Sequence, residues 1–292
     1  MISPELQAWI DEKTGIKIIP ESARSVSGGC IHHATLVDRA DGGFVFVKQN
    51  QRNQLDLFET EARSLEWIRA TQTIRAPEPF ATGVVDEKAV LILEGIILED
   101  QASAAAQQRL AHELSALHQH SSPEDRWGAP NDNYIGATPQ PNPWTDSWSD
   151  FFVEHRLEFQ FKLAEARCRT FSRARALIAA AHRYLDSFSV TPKLVHGDLW
   201  GGNVSFDTDG HPVIFDPASY YGDPETDLAF TTLFGGFGEA FYSAYWEHRE
   251  RPEPVRFSLY NLYHLLNHYN LFGGSYASQA EASIKDILHV LT

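Results

Sequence analysis

Three polar side chains, spaced as phosphoryl transfer would need them, give this sequence its sharpest chemical signal. The run Leu194-Val195-His196-Gly197-Asp198-Leu199-Trp200-Gly201-Gly202-Asn203 holds His-x-Asp, then four residues, then Asn. Asp216 follows 13 positions after Asn203, closing the apolar run Val213-Ile214-Phe215. A phosphotransferase needs a carboxylate on a loop to orient the acceptor hydroxyl and take its proton, and Asp198 suits that task. It also needs a neutral oxygen and a second carboxylate to hold Mg²⁺ against the phosphates, which Asn203 and Asp216 can supply. His196 fits a residue that orients this loop by hydrogen bonds rather than the base itself. The bland alternative is an Asx-rich turn.

The order base, Asn, strand-borne Asp is that of protein-kinase catalytic and metal loops. It places demands on the chain upstream. A lysine must end a central strand, and Lys48 ends the β-branched and aromatic run Phe44-Val45-Phe46-Val47. A glutamate on the next helix must hold it. Leu55, Phe58, Ala62, Leu65 and Ile68 recur at helical spacing, and both Glu61 and Glu59 lie on that helix. Periodicity does not separate the two. A glycine turn should precede the lysine strand so that backbone N–H groups can approach phosphate. Ser27-Gly28-Gly29-Cys30 occupies that place, with Gly28, Gly29 and Cys30 as its expected nucleotide contacts. Cys30 reads either as a redox-sensitive thiol or as a small buried filler. Adenine would hang from backbone groups of the strand joining the two halves, at Leu93-Glu94-Gly95-Ile96, with Glu94 and Ile96 as candidates. ATP and Mg²⁺ are the cofactors this set implies.

The whole chain is consistent with that plan. Residues 1–95 read as a β-rich lobe and 96–292 as a larger helical one, an α+β fold with two lobes and a small antiparallel sheet. A helix is expected over Trp148–Arg167, and the polar stretch Ser121–Thr145 has no periodicity. Acidic residues number 39 and basic ones 24, a net charge of −15. That argues against a nucleic-acid backbone or an anionic membrane surface as partner. Two cysteines, no leader-like start and no apolar run long enough to span a bilayer point to a cytoplasmic protein, expected to act as a monomer. His264 and His268 stand at i, i+4, a zinc-site spacing, but no Glu follows His264, so the zinc-protease pattern is absent.

At this point the sequence resembles the fructosamine kinases, also called ketosamine 3-kinases, within the protein-kinase-like and aminoglycoside-phosphotransferase-like superfamily. The resemblance is carried by Ser27-Gly28-Gly29-Cys30-Ile31, Phe46-Val47-Lys48, Phe58-x-x-Glu61, Asp198-Leu199-Trp200-x-Gly202-Asn203 and Phe215-Asp216-Pro217-Ala218. Asp132-Asn133-x-Ile135-Gly136, Thr138-Pro139-Gln140, Tyr221-Gly222-Asp223, Phe234-Gly235-Gly236-Phe237 and Leu259–His268 extend it over nearly the whole chain. It implies an ATP- and Mg²⁺-dependent kinase acting on the 3-hydroxyl of ketosamines, sugars joined to amines by glycation, free or on protein. The phosphorylated product is unstable and releases the amine. Other readings are a kinase for another sugar, an aminoglycoside or an amino alcohol, or a pseudokinase.

The acceptor side agrees with this. Trp200 lies two residues after the proposed base, in a polar loop, where its face can pack on a sugar. Asp132, Asn133, Gln140 and Trp144 belong to a loop dense in hydrogen-bonding groups and are the other expected acceptor contacts.

Overall fold

The computed structural model describes residues 2–26, 33–99 and 103–292. Helix α1 (Pro4–Thr14) is capped by Ser3, whose Oγ accepts from the Leu6 N–H at 3.0 Å, and ends at Gly15 in the left-handed region, φ +71°. Strands β1 (Arg24–Val26), β2 (His33–Asp38) and β3 (Phe44–Gln51) follow. Helix α2 (Leu55–Ala70) separates them from β4 (Pro79–Val85) and β5 (Lys88–Gly95). The five strands form one antiparallel sheet in the order β1-β2-β3-β5-β4.

The twofold period of β3 decides which way its lysine points. Val45 and Val47 face α1 and pack with Leu6, Ile10, Val90 and Ile92. Phe46 and Lys48 therefore take the other face, where Leu91 and Leu93 pack against Leu57, Phe58, Leu65 and Ile68 of α2. An apolar stripe on α2 thus brings the helix over the lysine.

Beyond Gly95 the chain leaves this sheet. Strand β6 (Leu98–Glu99) joins a small sheet of the larger lobe. Helix α3 (Ala104–Leu117) leads to a hairpin of β7 (Asn133–Ile135) and β8 (Thr138–Gln140), inside the stretch that has no sequence periodicity. The expected long helix is α4 (Trp148–Phe152) and α5 (Phe159–Ala166), joined by a π-helical segment, Val153–Glu158. Helix α6 (Ala174–Leu185) and the short strands β9 (Lys193–Val195), β10 (Val204–Asp207), β11 (Pro212–Ile214) and β12 (Tyr220–Gly222) carry the catalytic segment. β10 pairs with both β11 and β6, and β9 with β12. Helices α7 (Glu225–Thr231), α8 (Glu239–Tyr245), α9 (Pro254–Phe272) and α10 (Tyr276–Leu291) close the fold.

One core fills the space between α4, α5, α6, α9 and α10. A second runs from α2 through Ile214 of β11 to Leu110 and Leu114 of α3 and Phe241 of α8, so the two lobes share buried apolar contacts behind the site. Among the described residues, no helix is long and apolar enough to cross a membrane.

Candidate active site

Lys48 Nζ donates to Glu61 Oε1 at 2.6 Å and to a carboxylate oxygen of Asp216. Of the two helix glutamates, Glu61 is the one that meets the lysine. The side chains of Lys48 and Glu61 are 7% and 8% exposed, while Asp216 is 42% exposed. Burial works against the Lys48 charge, but the carboxylates of Asp216 and Glu61 overcome it and hold the ammonium above its ordinary value. Burial pushes Glu61 up, and Lys48 opposes it.

Asp198 follows β9 on a tightly held loop. Asn203 Nδ2 donates to the Asp198 carbonyl at 2.8 Å and to its Oδ2 at 3.1 Å, leaving the Asn203 amide oxygen for another partner. Burial, reinforced by the Asp216 charge, pushes the Asp198 carboxyl up to about 7, while the Asn203 bond pulls it down. The loop is braced from below by buried Asp227. Its Oδ2 accepts from His196 N at 2.7 Å and its Oδ1 from Gly197 N at 2.8 Å. His118 Nε2 stands 3.1 Å from the same Asp227 Oδ2, with Tyr245 Oη 2.7 Å from its other ring nitrogen. His196 accepts from Asp198 N at Nδ1 and donates from Nε2 to Phe215 O at 3.0 Å. That pattern needs the neutral ring, and burial lowers the His196 pKa accordingly. The imidazole therefore ties the two loops together and holds no proton for transfer.

Gly197 has φ +84°, and a Cβ there would overlap the Ala218 carbonyl. Ala218 N in turn donates to His196 O at 2.9 Å. Replacing Gly197 by Ala is therefore expected to cost about 1–3 kcal/mol in backbone strain alone, with the overlap added. Thermal unfolding should show a clearly lowered Tm. An unchanged Tm would mean that the two loops do not touch as described.

Lys48, Glu61, Asp198, Asn203 and Asp216 line a cavity of about 440 Å³. The same cavity has an aromatic wall. Trp200 meets Phe234 (ring centroids 6.0 Å apart), Phe234 meets His268 (4.8 Å), and His268 meets Tyr276 (5.1 Å) and Phe272 (5.7 Å). His268 Nδ1 donates to His264 O at 2.8 Å, and burial lowers its pKa, so this wall is uncharged near neutral pH. A Cβ at Gly202 would run into the Trp200 ring, which explains why the position takes glycine. The β7–β8 hairpin contributes Tyr134, Ile135 and Gly136 to the lining.

The residues present fit Mg²⁺. Asp216 and the Asn203 amide oxygen are hard oxygen donors, and a pair of protein ligands beside phosphate is how Mg²⁺ is commonly held. Among the described residues lining the cavity, Lys48 is the one lysine beside three carboxyl groups, Glu61, Asp198 and Asp216, an excess of acid that a divalent cation would offset.

Several expected contacts lie elsewhere. Asn133 and Gln140 are buried behind the cavity. Asn133 Nδ2 donates to Ser219 O at 2.9 Å, and Gln140 Nε2 donates to Ala218 O at 3.1 Å and Asn133 Oδ1 at 2.8 Å. Their amides are spent on backbone and on each other, because a buried polar group must find a partner. Asp132 is exposed and accepts from Asn142 N. Trp144 stacks on Tyr221, ring centroids 6.1 Å apart, outside the cavity lining. Glu94 is held by Arg75 Nη2 at 3.0 Å, and Arg75 Nη1 reaches Asp207 of β10 at 2.7 Å, so the carboxylate ties the lobe connector to the larger lobe. Ile96 is half-buried on that connector, also outside the lining. Gly28, Gly29 and Cys30 lie outside the described residues.

Phe234, Asn267, His268, Phe272 and Tyr276 line the cavity without belonging to a recognisable catalytic spacing. In the sequence, Phe234, Asn267 and His268 stand out only as parts of the resembling runs Phe234–Phe237 and Leu259–His268.

Comparison with known proteins gives the family. The family model described as fructosamine kinase matches residues 2–290. A candidate ketoamine kinase of Synechocystis is 46% identical over 285 residues, covering 96% of this chain and 95% of that protein. A protein of Oryza sativa subsp. indica named chloroplastic protein-ribulosamine 3-kinase is 40% identical over 292 residues, 98% of this chain and 84% of that one. The crystal structure of a candidate fructosamine-3-kinase of Haemophilus somnus superposes with a TM-score of 0.87 at 28% identity, covering 98% of this chain and 97% of that one. With a two-lobed protein-kinase-like fold, one cavity shared by the lysine and the late carboxylates, and a match along its whole length, the chain belongs to the fructosamine kinase family.

Proposed function

We propose that this chain transfers the γ-phosphoryl group of ATP to the 3-hydroxyl of a ketosamine. The observation that carries the reading is the convergence of Lys48 and Asp216 with Asp198 and Asn203 on one cavity that also has an uncharged aromatic wall. Residues 1–95 serve as the nucleotide-side lobe and 96–292 as the acceptor-side lobe. Lys48, kept charged by its two carboxylates, is available to the phosphates. Asn203 and Asp216 would hold Mg²⁺, which supplies charge neutralisation at the transferring phosphoryl group. Asp198 accepts the proton of the attacking hydroxyl while Asn203 and the Asp227 brace fix its direction. Trp200 and its aromatic neighbours offer flat faces to the sugar C–H groups, and a neutral His268 does not repel the cationic amine. The name of the rice relative makes ribulosamines the first acceptors to examine.

ADP release tests this directly. Ribuloselysine, erythruloselysine and fructoselysine are offered beside an aminoglycoside, choline and free ribose. Turnover confined to ketosamines is the expected result. Turnover of the alcohols alone, or of nothing, overturns the reading.

The pH dependence follows from Asp198. Its carboxyl titrates at about 7 in the folded protein, and only the ionised form can accept a proton. The acceptor kcat/KM should therefore fall as pH drops below about 7, approaching tenfold per pH unit. A profile that is flat down to about pH 5 would assign the proton to another group.

A further inference from the structure

Arg156 is the bulkiest side chain fully buried among the described residues, at 0% exposure. It sits in the π-helical segment Val153–Glu158, a distortion that gathers at functional sites. No carboxylate among the described residues pairs with it. Its guanidinium instead lies over Tyr220, Phe151 and Tyr263, 4.3, 4.5 and 5.7 Å from their ring centroids. A buried cation without an acid is costly, so the use made of its donors matters.

Those donors begin a directed chain. Arg156 Nη2 donates to Asn142 Oδ1 at 2.6 Å. Asn142 Nδ2 donates to Asn133 Oδ1 at 2.9 Å, and Asn133 Nδ2 donates to Ser219 O at 2.9 Å. A side branch runs from Tyr263 Oη to Gln140 Oε1 at 2.6 Å, and from Gln140 Nε2 to Ala218 O at 3.1 Å. A guanidinium can only donate. It therefore forces the oxygen of Asn142 toward itself and the nitrogen outward, and the same choice passes to Asn133. The chain ends on the two carbonyls that follow Asp216-Pro217. Asp216 has φ +57°, a left-handed conformation that a non-glycine residue keeps only when its surroundings impose it. Arg156 Nη1 also donates to Pro141 O at 2.7 Å, fixing the hairpin that carries Gln140.

We propose that Arg156 is a positioning residue for the metal-binding loop: its donor-only guanidinium sets the direction of the Asn142–Asn133 relay, which clamps Ala218 and Ser219 so that Asp216 faces Lys48 and Asn203. This rests on the reading of Asp216 as a metal ligand. An acidic partner would have neutralised the arginine but could not have relayed a hydrogen bond onward, which explains why an asparagine stands at position 142.

The test separates this role from packing. Manganese binding to the complex with a non-hydrolysable ATP analogue is followed by electron paramagnetic resonance, beside the Mg²⁺ dependence of turnover, acceptor KM and Tm. Arg156→Met and Asn142→Asp are expected to weaken Mn²⁺ binding about tenfold or more, with acceptor KM unchanged. Arg156→Lys stays donor-only and should retain most of the affinity. Asn142→Asp is the same size and gives Arg156 an ion pair, so it decides the matter should Arg156→Met not accumulate as folded protein. Wild-type Mn²⁺ affinity in Asn142→Asp, or in folded Arg156→Met, overturns the proposal whatever happens to Tm. Asp216→Asn serves as the control. If it binds Mn²⁺ like the wild type, the metal-ligand reading itself falls, and the proposal with it.

Discussion

Asp198→Asn should lower kcat by about 10²–10⁴-fold, the usual range for losing a positioned general base, while ATP binding stays near the wild-type value. The amide fills the same space and can still meet Asn203, but it cannot take a proton from the acceptor hydroxyl. Stability should move the other way. The folded-state pKa of Asp198 is raised to about 7, against about 3.9 in an unfolded chain. The ionised carboxylate thus costs stability, increasingly as pH rises from about 4 to 7 and fully above that. The Asn variant should melt above the wild type at pH 8, and the gap should close as pH falls toward 4. Unchanged ADP production by the variant would remove Asp198 as the base. A lowered Tm at pH 8 would mean that its burial is not what shifts it.

Lys48→Met should lower kcat/KM for ATP by about 10²–10³-fold, the scale of losing one preorganised electrostatic contact at a reacting centre. Among the described residues, Lys48 carries the one ammonium paired with Glu61 and Asp216, and both carboxylates turn toward it. With the cation gone, Glu61 is left buried without a partner. Burial already pushes its pKa upward, so it should become protonated near neutral pH. Removing one partner of a buried pair costs about 3–5 kcal/mol, a loss that protonation of Glu61 relieves only in part, so Tm should fall as well and the role of the lysine is read from nucleotide binding by the folded variant. Lys48→Arg should not rescue it, because a planar five-donor fork does not fit a site only 7% exposed. Calorimetry with an ATP analogue would check this; wild-type affinity in Lys48→Met would falsify the assignment of the lysine to the phosphates.

Much of the centre was legible because its chemistry fixes both residue type and spacing. Asp198, Asn203 and Asp216 lie on one short loop–strand–turn unit, and the β-branched and aromatic run Phe44–Val47 places Lys48 on a strand. Periodicity left Glu61 and Glu59 open, since both ride the same helix and only the packing of α2 on the sheet decides between them. The reading failed where polarity was taken as exposure. Asn133 and Gln140 look like solvent-facing loop residues, yet a buried arginine fifteen or more positions away turns them into internal braces. No local pattern announces Arg156, because a π-helical turn has no sequence period of its own and the residues that satisfy it come from other elements. Glu94 was expected to meet adenine through its backbone, a role that leaves its side chain free to pair with Arg75. Trp200 was legible from its place after the base, but the rest of the aromatic wall was missed because Phe234 comes from just after α7 and the other rings from the ends of α9 and α10. Strands β9 and β12 are each three residues long, too short for alternation to register.

The most direct measurement is the position of the phosphate on the product. Wild-type protein is incubated with ATP, Mg²⁺ and ribuloselysine, and the early product is examined by phosphorus–proton correlation NMR while ADP and free lysine are counted. The account requires a phosphate ester on sugar carbon three, one ADP for each ester, and lysine appearing as the ester decays. ADP formed without a sugar phosphate, or an ester on any other carbon, would contradict it.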